Sequence, residues 1–183
     1  DGKSALDAAV LNADSEAARL LVNAGADVNA SYEGVPPLVA ATKYEAPDVV
    51  GILVNAGADL GAKAEGKTAL MFAAMNGDAD TMEILLEADA AVDTTGPDAM
   101  TALMYAIEYG NTRTARMLLD AGADPNAVAQ GLPVIMRAID PVFTDAADPE
   151  AVEILLRNGA ETNATDSQNF TPLIRAAAVG NAE

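Results

Sequence analysis

Apolar residues recur along this chain in short runs with helical spacing, each run closed by a glycine or its substitute. Counting back seven, four and three residues from the closing position gives Ala18/Leu21/Val22, Val50/Leu53/Val54, Met82/Leu85/Leu86, Ala115/Leu118/Leu119 and Val152/Leu155/Leu156. Those offsets share one face of a helix. Positions six and two before the closure are mostly polar, as at Arg19, Asn23, Glu83, Glu87, Arg116 and Asp120, so the opposite face meets water. The closing residues are Gly25, Gly57, Asp89, Gly122 and Gly159. Glycine there predicts a left-handed helix cap, a conformation Asp89 is expected to hold less comfortably.

A second pattern precedes each run. Leu-x-x-Ala, or its Ile variant, appears at Leu6/Ala9, Leu38/Ala41, Leu70/Ala73, Leu103/Ala106, Ile135/Ala138 and Leu173/Ala176, at intervals of 32, 32, 33, 32 and 38 residues. The fifth unit therefore carries an insertion. Each unit reads as a short helix, a tight turn, a second helix and an extended loop, with repeats at about 1–33, 34–65, 66–98, 99–130 and 131–168 and a partial one at 169–183. One helix pair cannot bury its apolar face alone, whereas stacked pairs bury it against each other. Asp14, Glu16, Asp48, Asp78, Asp80, Asp148 and Glu150 fall where second helices should start, where carboxylates cap free N–H groups and oppose the dipole.

The segments Gly66-Lys67-Thr68-Ala69-Leu70-Met71-Phe72-Ala73-Ala74, Gly2-Lys3-Ser4-Ala5-Leu6, Thr101-Ala102-Leu103 and Thr171-Pro172-Leu173, with loops such as Gly25-Ala26-Asp27-Val28-Asn29, carry a resemblance to the ankyrin repeat family. Units of that family run about 33 residues around a Thr-Pro-Leu-His-x-Ala signature. The resemblance spans the chain and implies an all-α fold: one domain over 1–183, an ankyrin-repeat solenoid of stacked helix-turn-helix units joined by hairpin-like loops. The signature His is absent, replaced by Asp7, Val39, Met71, Met104, Met136 and Ile174, so packing is expected to replace its hydrogen bonds. Pro36 and Pro133 stand where a Thr hydroxyl would cap a first helix, and those starts should be looser.

The resemblance also implies a non-enzymatic protein-protein interaction module, a scaffold that binds through a concave face of first helices and through finger loops. The fingers project to Ser31-Tyr32-Glu33, Lys63-Ala64-Glu65, Thr94 to Ala99, Val128-Ala129-Gln130 and Thr165 to Asn169. Positions two, five and six after the signature Leu should face the concave side, giving Phe72, Met75 and Asn76 in the third unit and Tyr105, Glu108 and Tyr109 in the fourth. Aromatic and Met side chains are enriched at binding hot spots. Tyr32, Glu33, Lys43, Tyr44 and Arg137 join them as partner-binding candidates, while Phe72 and Tyr105 serve equally well as packing between first helices. In the fifth unit Pro141 should end the first helix near Asp140, and Phe143 on the loop after it is a further candidate contact.

Composition narrows the chemistry. With 10 basic and 28 acidic residues the formal charge is −18, which disfavours nucleic-acid binding and permits a basic protein partner. The chain has no Cys and no His, so disulfides, Ser-His-Asp triads and the common zinc sites are excluded. Asp145 and Asp148 form the least repetitive acidic pair, but Asp148 followed by Pro149 reads as a helix cap. No cofactor, no metal and no membrane insertion are expected. A competing reading is a structural subunit or tethered regulatory segment of a larger assembly. In it, apolar ends at Leu6 and Val10 and at Leu173, Ile174, Ala177 and Val179 contact further repeats or other subunits.

Overall fold

First helices start where a hydroxyl can cap them. In the computed structural model, which describes residues 3–140 and 148–180 with the last two by backbone alone, Ser4 caps helix α1 (Ala5–Leu11). Thr68 caps α5 (Ala69–Asn76) and Thr101 caps α7 (Ala102–Glu108), each accepting the N–H three residues on. Ser4 and Asp7 form a reciprocal capping box, so the substitute for the first signature His makes hydrogen bonds rather than packing. Val39, Met71, Met104 and Met136 are buried and do replace it by packing, whereas Ile174 is exposed. Helices α3 (Pro37–Lys43) and α9 (Val134–Arg137) follow Pro36 and Pro133 and have no side-chain cap. Regular helix in α9 ends at Arg137, earlier than the Pro141 argument places it, although the Asp140 N–H still bonds the Met136 carbonyl.

Second helices are α2 (Ser15–Asn23), α4 (Pro47–Asn55), α6 (Ala79–Glu87), α8 (Thr112–Asp120) and α10 (Pro149–Arg157). Asp14, Asp78 and Asp148 cap three of them, and Glu16, Asp48, Asp80 and Glu150 lie in first turns. Their C-termini repeat one geometry five times. Gly25, Gly57, Asp89, Gly122 and Gly159 have positive φ, and each donates its N–H to the carbonyl three residues back. The following Ala donates to the Leu five residues back, as Ala58 does to Leu53 and Ala123 to Leu118, which is the Schellman cap. Asp89, at φ 61°, is the member with a side chain.

The chain divides into two compact units, residues 1–91 and 92–183. In the first, α1 packs on α3 and α3 on α5, while α2 packs on α4 and α4 on α6. In the second, α7 packs on α9, α8 on α10, and α9 on α11 (Pro172–Gly180). The signature residues Leu6, Leu38, Leu70, Leu103 and Ile135 and the alanines three after them are buried, so small side chains let first helices approach closely. In the second helices Leu53, Leu85, Leu118 and Leu155 are buried, whereas Leu156 is exposed.

Loops between repeats carry their own rungs. Asn29 Oδ1 accepts the Asp59 N–H at 2.9 Å, Asp93 Oδ1 the Asp124 N–H at 3.0 Å, and Asn126 Oδ1 the Glu161 N–H at 2.8 Å. Gly61 occupies the same repeat position and has no side chain to do so. Two fingers are antiparallel hairpins, β1 (Lys63–Ala64) with β2 (Lys67–Thr68), and β3 (Val128–Ala129) with β4 (Leu132–Pro133). A single bridge joins Tyr32 to Val35 in a third. Their central pairs, Glu33-Gly34, Glu65-Gly66 and Gln130-Gly131, have positive φ at both residues, the type I′ turn that matches strand twist. The finger at 94–99 turns through Asp98 and Ala99, which also have positive φ, and the Met100 N–H donates to the Pro97 carbonyl.

Candidate functional site

In each unit the described sequence-predicted residues sit at the ends of first helices and in the fingers beside them. Positions five and two after the signature residue meet across neighbouring repeats. Lys43, fifth in its repeat, holds its Nζ 5.2 Å from the ring centroid of Phe72, second in the next. Glu108 pairs with Arg137, and Asp140 pairs with Arg175, at the same two positions. A cation over an aromatic face and two ion pairs thus do the same job.

Second positions point inward beneath the fingers. Phe72, Tyr105 and Arg137 are only 6%, 7% and 2% exposed. Arg137 donates to the Ala129 carbonyl of the β3 finger at 3.0 Å as well as to Glu108, so its charge is spent inside the fold. Burial raises the Tyr105 phenol's pKa, and the Glu108 carboxylate adds to the shift. Lys43 also donates to Glu65 at 2.8 Å, and that hydrogen bond with its charge lowers the Glu65 carboxyl. In the last described finger, Asp166 Oδ1 accepts the Gln168 and Phe170 N–H groups while Oδ2 takes Arg175 at 2.5 Å. The Arg175 hydrogen bond, followed by the Phe170 one, lowers the Asp166 carboxyl.

Sixth positions point outward. Tyr44 and Tyr109 are the C-cap residues of α3 and α7 and stand 56% and 57% exposed. Met75 and Glu108 are half-buried, Lys43 and Glu33 are exposed, and Tyr32 is half-buried at the root of its finger. Phe143, and Asp145 with it, lie outside the described residues. Asp148 is a cap, accepting the Glu150 and Ala151 N–H groups, and its second oxygen takes the Thr112 hydroxyl of the preceding repeat at 3.0 Å.

A further feature depends on what one repeat position lacks. A cavity of about 230 Å³ lies among Val10, Leu11, Val35, Ala40 and the two tyrosines Tyr32 and Tyr44, with Asp7 and Glu33 in its wall. Its cause is the second position. Where later repeats carry Phe72, Tyr105, Arg137 and Arg175, this one carries Ala40. Among the described residues no cluster of three or more His, Cys, Asp or Glu could hold a metal ion, and no helix is long and apolar enough to cross a membrane.

A family model for ankyrin repeats in three copies matches residues 38–129, and a model for the single ankyrin repeat matches residues 1–32. The fold is similar to the crystal structure of an ankyrin repeat domain from Acinetobacter baumannii AYE. That domain is 25% identical, over 97% of this chain and 92% of that one, with a TM-score of 0.86. Among curated proteins none matches.

Proposed function

Because this chain belongs to the ankyrin repeat family, whose members are generally non-enzymatic protein-protein interaction modules, we propose that it binds a protein partner through its first-helix face, concave in the family, and its finger loops. The observation that carries this reading is the pair Tyr44 and Tyr109. Two of the chain's four tyrosines stand more than half exposed at one repeat position, whereas Phe72, Tyr105 and Arg137 are buried and Lys43 and Glu108 are engaged with neighbours. Exposed aromatics offer large contact area at low entropy loss, which suits them as anchors. The formal charge of −18 favours a basic partner, drawn in by long-range attraction.

The test is a displayed random-peptide library selected against the chain, followed by affinity measurement on Tyr44→Ala and Tyr109→Ala. Both positions are exposed caps, so circular dichroism and the denaturation midpoint should stay within about 0.5 kcal/mol of the parent. A tenfold or greater loss of affinity in at least one variant is expected. Selected ligands indifferent to both changes would contradict the assignment.

A second reading has its own observation. On α11, Leu173 and Ile174 are 78% and 48% exposed, a surface that another repeat or another copy would cover. Growth of the scattering mass with concentration, abolished by Leu173→Glu, would favour that assembly, and a constant mass at all concentrations would count against self-association.

A further inference from the structure

The cavity beside Ala40 has a size and a wall chemistry that specify an occupant. At about 230 Å³ it falls below the roughly 300–1,000 Å³ of sites that enclose small-molecule ligands, and it matches a single long side chain. Its inner wall is apolar, with Val10 and Ala40 buried, and its outer edge is aromatic, with Tyr44 exposed and Tyr32 half-buried. Two carboxylates complete it. Asp7 is buried, and both Ser4 donors reach the same oxygen, Oδ2. Glu33 is exposed on the finger turn.

The lysine in the wall is already paired with Glu65. The Lys43 ammonium is 2.8 Å from Glu65 and 5.2 Å from the Phe72 ring, and neither of those groups lines the cavity. The Tyr32 phenol's pKa is raised, by the Glu33 hydrogen bond first, then by the negative charge of Glu33, with Asp7 a smaller contribution. Both carboxylates line the same cavity.

We propose that this cavity receives an arginine side chain of a protein partner, its methylene stem passing between Tyr32 and Tyr44 at the outer edge, its guanidinium reaching in to pair with Asp7, and Glu33 adding negative charge at the mouth. Guanidinium stacks on aromatic faces and pairs with carboxylates through several donors, which a lysine ammonium does less well. The proposal rests on the binding function above and adds to it the site and the partner's chemistry.

The vacancy at Ala40 supplies the test. Ala40→Phe introduces the side chain that the next repeat carries at the same position, Phe72, and fills the space. Glu33→Lys reverses a charge on an exposed turn away from the core. Peptides selected from a random displayed library against the chain should be enriched in arginine at one fixed position. Replacing that arginine with glutamine, or testing either variant, should weaken binding at least tenfold. Lysine at that position should bind less tightly than arginine. Selected peptides without a fixed basic residue, or ones whose affinity survives both Ala40→Phe and Glu33→Lys, would overturn the cavity assignment; their loss on Tyr109→Ala would still uphold a binding module. Failure to select any peptide would count against both. If Ala40→Phe alone unfolds by circular dichroism, Glu33→Lys and the arginine-to-glutamine peptide decide the question.

Discussion

Asp89 holds a left-handed backbone at φ 61°, where Gly25, Gly57, Gly122 and Gly159 stand in sibling repeats, and it makes the same two-bond helix cap as they do. An L side chain there carries roughly 1–2 kcal/mol of steric strain, Asp at the lower end. Glycine relieves that strain but loses about 0.4–1 kcal/mol through a more disordered unfolded chain. The strain is the larger effect, so Asp89→Gly should raise stability by about 0.5 kcal/mol, read as a higher urea midpoint at unchanged slope. A lower midpoint would mean that the Asp89 side chain does something useful in the folded state. This position was legible from spacing alone, because a cap repeated at fixed period announces its odd member. The depth of Phe72, Tyr105 and Arg137 was not. Period places them on the first-helix face, but whether a side chain there lies under a finger depends on the neighbouring repeat, as the bond from Arg137 to the Ala129 carbonyl shows.

Helix pairs, turn positions and second-helix caps could be read from offsets, since each follows from local backbone needs that a few residues satisfy. Contacts between repeats were harder to see. Glu108 with Arg137, Asp140 with Arg175 and Asn29 with the Asp59 N–H join residues about thirty positions apart, and nothing local in the sequence marks them as partners. Asp166 illustrates their consequence at the level of an element. It holds its own finger through the Gln168 and Phe170 N–H groups and holds α11 through Arg175. Its carboxyl is lowered from the ordinary 3.8 in the folded state. A lowered carboxyl stabilises the fold fully above its unfolded pKa, and that contribution fades as pH falls through the lower folded value. Carbon NMR titration of Asp166 should therefore show a midpoint below 3.8 that moves upward in Arg175→Gln. An unchanged midpoint would assign the shift to the backbone donors alone.

For the molecule as a whole, the repeat period made the fold plain and left the binding surface only outlined. Tyr44 and Tyr109 followed from their repeat position, as did the exposed Glu33 and Lys43. The cavity beside Ala40 arises from what that position lacks, and an alanine in a chain rich in alanine carries no signal until its siblings are seen to hold Phe72, Tyr105 and Arg137 there. The central claim is that second helices serve the stack while first-helix ends and fingers serve a partner. Hydrogen-exchange mass spectrometry of the chain with and without its selected peptide tests that division most directly. Slowed exchange in the finger at 31–35 and at the α3 or α7 C-terminus, with α2, α4, α6 and α8 unchanged, is the predicted result. Protection confined to those second helices would contradict it.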